Sequence, residues 1–308
     1  AAKLEAVLDQ LALVEDHRPG HEVNEFGPKR LVEDLAPDDF ETYVRGFPPT
    51  WGMAARSVEI ARVRVLFGFG YKQQLIPHPI IFGLGMSAPS AKEKRKARAA
   101  AGERMYSADE VRRVLAVCKP QLRAAVLLAI NCAYGNGDVA SLPLSALDLQ
   151  EGWATFPRPK TGEARRAWLW PETRAALQWV VANRPNPAGA ENGSLVFLSR
   201  DGRPWVHLAT RKHDDDERET IVAIDRLTKQ FWYYCKRAGV PQRGFYTLRR
   251  TWRTVADETL DMPACNRVMG HTDSTMAGVY RQRIGDDRIR RVCEHVRTWL
   301  FPAEGGAK

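Results

Sequence analysis

A strongly basic stretch bounded by glycine and proline divides this chain and limits the folds open to it. Between Gly83 and Gly102, Pro89 is followed by Lys92, Lys94, Arg95, Lys96 and Arg98, opposed only by Glu93. Like charges crowded in sequence repel one another and belong on a solvated surface, and they can also meet phosphates. With 308 residues the chain is long enough for two domains, and the boundary is expected here. The expected division is a helical unit over 1–90, a basic linker over 91–104 and a second domain over 105–308.

On both sides of that stretch the apolar residues follow a helical period. Leu4, Val7, Leu8, Leu11 and Leu13-Val14 lie roughly on one stripe. Ala36-Pro37-Asp38-Asp39 reads as a helix start, with proline and acids in the first turn. A helix from about Ser57 to Gln74 would turn Ile60, Val63, Leu66-Phe67 and Phe69-Gly70 inward and Arg56, Arg62, Arg64 and Lys72 outward, with Pro77 and Pro79 beyond its end. The second part opens on a capping box, Ser107-Ala-Asp-Glu110, followed by a stripe at Val111, Val114, Leu115 and Cys118. Another helix is expected over about Gln121 to Cys132. Short strands follow at Trp153–Arg158 and Arg166–Trp170 around the turn Pro159-Lys160-Thr161-Gly162-Glu163. A third apolar run, Leu195–Leu198, reads as a strand before a turn at Arg200–Pro204, and the chain after about Asp225 reads as helical. The fold class is therefore mainly α with one small antiparallel sheet.

Composition excludes several classes. No run approaches the ~20 apolar residues of a membrane span. The opening Ala1-Ala-Lys-Leu-Glu lacks the basic-then-apolar layout of a secretory signal, so none is expected. Five cysteines, Cys118, Cys132, Cys235, Cys265 and Cys293, are scattered and never spaced C-x-x-C, which argues for a reducing compartment and against a zinc site. Gly135-x-Gly137-x-x-Ala140 matches a relaxed dinucleotide fingerprint, yet a helical Ala/Leu-rich run precedes it rather than a β-branched strand. The acids of His213-Asp-Asp-Asp-Glu217 read as a solvated loop rather than a metal site. There is no phosphate-binding G-x-x-x-x-G-K-[ST]. Against this, 46 Lys+Arg and 37 Asp+Glu leave a net charge of +9, which favours a polyanionic partner.

The chemistry concentrates near the C-terminus, in Tyr246-Thr-Leu-Arg249-Arg250, Gly270-His271 and Tyr280. Each alone is weak, because a lone Arg, His or Tyr is usually structural. In this order and spacing they resemble the tyrosine recombinase (phage integrase) family, through "GFYTLRRTWRTVADE" and "VMGHTDSTMAGVYRQRI". The resemblance takes in "PRPKTGEARRAWLWPET", similar to the family's β-hairpin with its active-site Lys. More loosely it extends to "DLAPDDFETYVRG…RVRVLFGFGYKQQLI", similar to its helical core-binding domain.

The resemblance implies a tyrosine recombinase catalytic domain preceded by a helical domain that clamps double-stranded DNA. It implies a site-specific recombinase, an integrase of a mobile element, acting through a 3′-phosphotyrosine intermediate. Tyr280 would be the nucleophile, Arg249 the donor to the phosphate oxygens, and Lys160 the acid for the leaving 5′-oxygen. His271 would donate to a phosphate oxygen or help take the Tyr280 proton. Arginine suits the pentavalent oxyanion because its planar fork donates two parallel bonds and stays charged. Tyr246 stands where the family's first His is usual, and Arg250 replaces a frequent second His. Lys92, Lys94, Arg95, Lys96 and Arg250 are the expected DNA contacts. No cofactor or metal is required. The expected partners are DNA and further copies of the chain, dimer to tetramer, with no membrane, in the cytoplasm at the nucleoid.

One departure bears on activity. The family's T-G-x-R-x-x-E-L segment corresponds to "NCAYGNGDVASLPL", which aligns Asp138 with the acid and puts Gly135 where an Arg belongs. Losing one oxyanion donor costs about 10²–10³ in rate. Either Asn136, Arg166 or Arg123 substitutes, or the enzyme is slow or dead. A non-catalytic DNA-binding protein on this scaffold and a type IB topoisomerase-like nicking-closing enzyme are the other readings. The apolar stripe of 286–301, with Ile289, Val292-Cys293, Val296 and Trp299-Leu300, either packs on its own domain or docks on a neighbouring protomer.

Overall fold

The computed structural model describes residues 31–213, 216–273 and 275–302, so the stripe expected over Leu4–Val14 lies outside the described residues. The chain forms two compact units, residues 1–102 and 103–308.

In the first unit, α1 (Pro37–Arg45) starts at its proline and closes with Asp39 accepting from the Ala36 backbone N–H. Helix α2 (Met53–Lys72) presents Ile60, Val63, Leu66, Phe67 and Gly70 inward and Arg62, Arg64 and Lys72 outward. These side chains pack with Phe40, Tyr43 and Phe47 into a small core, where Tyr43 Oη donates to the buried Glu59 at 2.8 Å. The stretch read as a linker carries a helix, α3 (Ala91–Ala100), that no pattern of apolar residues announces. Ser90 and Glu93 cap it reciprocally, and it buries nothing. Lys92, Lys94, Arg95, Lys96 and Arg98 all stand exposed on it.

The second unit begins with α4 (Ala108–Val117), capped by Ser107 and Glu110. Helix α5 (Pro120–Cys132) is buried over almost its whole length and forms the spine of the unit. It ends at Ala133 in the left-handed region, φ 55°, uncommon for a residue with a Cβ. The short α6 (Asn136–Ala140) follows. Strands β1 (Leu147–Asp148), β2 (Trp153–Thr155) and β3 (Arg166–Trp168) make one antiparallel sheet in the order β1-β2-β3. Helix α7 (Pro171–Ala182) packs on α5.

Two expectations need correction. Leu195–Leu198 is not a strand: Leu195 makes an isolated bridge to Pro143, and Val196, Phe197 and Leu198 are buried coil filling the core. The turn expected at Arg200–Pro204 is present, but the stretch beyond it, read in part as an acidic loop, carries a second sheet, β4 (Val206–His213) paired antiparallel with β5 (Asp216–Asp225), with residues 214 and 215 outside the described ones.

The remainder is helical: α8 (Arg226–Arg237), α9 (Thr247–Ala256), α10 (Met262–Met269), α11 (Met276–Tyr280) and α12 (Asp286–Leu300). The stripe of α12 belongs to its own domain. Ile289, Val292, Cys293, Val296 and Leu300 are buried in the main core, and Trp170 Nε1 donates to the Cys293 carbonyl. The exchange of this helix with a neighbour is therefore not its state here. Asn131 ties α5 to β3 and α9: its amide donates to Trp168 O and accepts from Trp170 N–H, and its carbonyl accepts from Trp252 Nε1. That junction holds the elements that carry the site.

Candidate active site

Arg249 lies on the inner face of α9, between Leu248 and Trp252, and is 1% exposed. Its Nη1 donates to Ala133 O at 2.6 Å and its Nη2 to Met269 O at 2.8 Å. Both acceptors are helix-terminal carbonyls, which carry partial negative charge and lack intrahelical partners. Nη2 also lies 3.1 Å from His271 Nε2. Arginine can only donate, so Nε2 is the acceptor and the imidazole proton sits on Nδ1. Burial, then the charges of Arg249, Arg158 and Arg253, lower the His271 pKa and favour this neutral ring. Burial also lowers the Arg249 pKa, with Tyr246 and Asp138 opposing it.

Gly270 sets this geometry. It ends α10 in the left-handed region, φ 64°, and the His271 N–H returns to Asn266 O at 3.0 Å. A Cβ at position 270 would lie 2.5 Å from Arg165 Cγ and 3.1 Å from Arg158 Cβ. Glycine is needed there twice, for the turn and for the close approach.

Asp138 caps the start of α6, accepting from Gly135 N–H at 2.8 Å. The same Oδ2 lies 3.1 Å from Arg165 Nη1 and 3.9 Å from Arg249 Nη1. Arg165 is 1% exposed, and its guanidinium stacks 4.4 Å from the Tyr134 ring centroid and 5.2 Å from that of Phe156. Its Nε donates to Phe156 O at 2.8 Å. The Tyr246 ring, half-exposed, lies 3.2 Å from where a Gly135 Cβ would be.

The other expected residues lie apart from this cluster. Asn136 donates to Asp225 at 2.7 Å, and Arg166 makes a bidentate pair with Asp286 at 2.8 Å and 2.8 Å while stacking on Trp153. Arg123 is exposed on α5. None of these three fills the space at Gly135. Lys160 is exposed on the β2–β3 turn, whose Arg158 carbonyl accepts from Thr161 and Gly162 N–H. Arg250 is exposed beside the Tyr246 ring, 5.8 Å from its centroid. Tyr280 closes α11 and is 75% exposed; among the described residues it makes no hydrogen bond to Arg249 or His271. A groove of about 390 Å³ runs past Glu163, His271, Asp273, Val279 and Arg281. Arg158 and Arg165 are the charged residues the sequence reading left out. Arg165 had a signal: a strand alternates faces, and Ala167 and Leu169 are apolar, so Arg165 shares their inward side.

The structure thus brings Arg249, His271, Asp138 and Arg165 together, while Lys160 and Tyr280 stand exposed outside this cluster; a buried, doubly anchored arginine beside a histidine is a group that can hold a phosphate oxygen. The chain belongs to the phage integrase family, whose model matches residues 104–284. No curated protein sequence matches it. Among solved structures it is similar to a lambda integrase dimer bound to a COC′ core site, at 13% identity and TM-score 0.59, covering 92% of this chain and 98% of that one. The Tn1549 transposon integrase in complex with circular intermediate DNA is similar at 11% identity and TM-score 0.55, covering 94% and 98%. A lambda integrase tetramer bound to a Holliday junction is similar at 16% identity and TM-score 0.56, covering 93% and 80%. At such identities these likenesses carry the fold.

Proposed function

We propose that this chain is a site-specific DNA recombinase that cuts and rejoins duplex DNA through Tyr280. The observation that carries the reading is the Arg249–His271 pair, 3.1 Å apart in a buried cluster inside the family-matched segment. Tyr280 Oη attacks the scissile phosphorus to give a 3′-phosphotyrosine. Its proton leaves to water, which the exposure of the side chain allows. Arg249 donates to the non-bridging oxygens. His271 has its acceptor nitrogen engaged, so its Nδ1–H serves as a donor to the phosphate. Lys160 protonates the departing 5′-oxygen. The bond energy is kept for religation, and no metal or nucleotide enters.

The exposed cations of α3 and Arg250 would contact backbone phosphates, making binding steeply salt-dependent. Assembly as a dimer or tetramer on DNA is proposed by analogy with the lambda integrase complexes, and a mobile-element setting by analogy with the transposon integrase. One observation favours a second reading, a DNA-binding protein with impaired catalysis: Gly135 offers no guanidinium.

The test is a pool of random-sequence duplexes, each with one strand nicked so that a short cleaved end diffuses away. Wild-type protein should be recovered covalently bound to an enriched sequence under denaturing conditions, and the Tyr280→Phe variant should not. Sequence-selective binding without any adduct would favour the second reading. Adduct formed equally by Tyr280→Phe would remove Tyr280 from the chemistry.

A further inference from the structure

We propose that Arg165 is the second guanidinium of the phosphate site, supplying from the β2–β3 hairpin the donor that Gly135 lacks. This rests on the strand-transfer reading above and names a further catalytic residue for it.

Arg165 and Arg249 are both 1% exposed, and one carboxylate, Asp138, lies between them. Among the described residues, two buried cations sharing this one anion leave an excess of positive charge. The helix-end carbonyls offset part of this on Arg249, but an uncompensated buried charge is costly. An anion brought to the cluster balances it.

Arg165 Nη1 and Nη2 are buried side-chain nitrogens without a hydrogen-bond partner among the described residues; the Asp138 contact is an ion pair at 3.1 Å without hydrogen-bond geometry. Arg249 Nε is a third such donor in the same cluster. Buried donors are nearly always satisfied, and several left open at one place mark where an acceptor-rich group binds. A phosphate has non-bridging oxygens to offer, and a guanidinium fork fits two of them.

Arg249 spends Nη1 and Nη2 on Ala133 O, Met269 O and His271, so its own fork is partly committed. Arg165 Nε is anchored on Phe156 O, its plane is held on Tyr134, and its stem occupies the space that only Gly270 leaves open. The side chain is thus fixed up to its two terminal nitrogens. Asp138 Oδ2 lies 3.5 Å from where a Gly135 Cβ would be, so the Arg165 fork reaches the neighbourhood of the absent side chain through Asp138. The Tyr246 ring flanks that same space and, being half-exposed, can swing aside as the DNA backbone arrives.

The experiment uses full-length protein and the duplex enriched from the random pool, made with either an ordinary phosphodiester or a methylphosphonate at the scissile position. Methyl replaces one non-bridging oxygen and removes the charge that a second cation would neutralise. Arg165→Met, which keeps the stem and drops the charge, should slow adduct formation by about 10²–10³ on the diester. On the methylphosphonate the defect should shrink to less than roughly tenfold. Arg165→Lys should fall between, because charge remains and the fork is lost. Equal defects on both substrates would make Arg165 a structural residue, and a normal rate on the diester would remove it altogether; either overturns the proposal.

A second measurement does not depend on cleavage. Inorganic phosphate should raise the Tm of the wild type and leave that of Arg165→Lys less affected. If the wild type makes no adduct yet shows this difference, the strand-transfer reading fails while the anion site stands. If phosphate shifts both proteins equally, the site itself is overturned.

Discussion

Arg249 and Tyr280, the proposed phosphate donor and the proposed nucleophile, are housed very differently. Arg249 is sealed in the core, held by two helix-terminal carbonyls and a histidine. Tyr280 ends a five-residue helix with no buried residue, and its neighbours Met276 and Val279 are also largely exposed. Groups that stabilise charge must be preorganised in a dry place, because donors that need not reorient are worth most there. Tyr280, the proposed nucleophile, sits instead on a segment with few packing contacts, whose position can be set by what it meets.

The sharpest attempt to break this contrast compares two variants. Tyr280→Phe should abolish covalent adduct completely while changing unfolding free energy by no more than about 0.5 kcal/mol, as for other exposed substitutions. Arg249→Lys should cut adduct formation by about 10²–10³ and also destabilise the unit, since a lysine cannot serve both carbonyls. Denaturant melts alongside adduct yields check both. Equal stability losses in the two variants would mean that the division between buried and exposed halves is not real.

A smaller effect sharpens the buried side. Asp138→Ala removes the carboxylate that, among the described residues, faces both Arg165 and Arg249, together with the cap on Gly135 N–H. Breaking a buried pair from one side costs about 3 kcal/mol or more. For a unit of this size that lowers Tm by roughly 10 °C. Asp138→Asn should lose less, since its amide oxygen still accepts the cap. A Tm unchanged by Asp138→Ala would show that the two cations do not depend on this carboxylate.

Elements are legible in the sequence where periodicity and end signals agree. Ser107 and Glu110 announced α4, and the Ile60, Val63, Leu66-Phe67 stripe announced α2. They are missed where one signal stands alone. The Ser90–Glu93 cap was as good as that at Ser107, but the residues after it are charged all round, so no apolar stripe marked a helix. Leu195–Leu198 has strand composition, yet a fully buried segment needs only apolar side chains and not a ladder. The β4–β5 hairpin was hidden by an acidic tract that composition assigns to a loop. In the site, Arg249 and His271 were legible because a motif spaces them, and the structure brings them together. Arg165 was not, because it adjoins Arg166 and the choice between them depends on strand register. The pairing Thr155↔Arg166 turns Arg166 to the outer face and Arg165 inward.

The smallest expected effect concerns protons on His271, and it tests whether the histidine belongs to the buried half. Burial and the charges of Arg249, Arg158 and Arg253 lower its pKa in the folded protein. In the unfolded chain the value returns to about 6.5. Between the lowered value and about 6.5 the unfolded state therefore binds more protons than the folded one, and stability rises with pH through that window. The contribution is complete above about 6.5 and is lost as pH falls through the folded value. Titration of Asp273, whose pKa is lowered to about 2 by Thr275 and Arg281, falls well below this window and does not confuse it. His271→Gln keeps an acceptor for Arg249 but cannot titrate. Its stability should be flatter with pH than that of the wild type across the window just below about 6.5, and similar above it. The measurement is Tm against pH for the two proteins at constant ionic strength. Parallel curves would mean that His271 is solvated enough to titrate normally, and that the neutral ring holding Arg249 is not part of the preformed cluster.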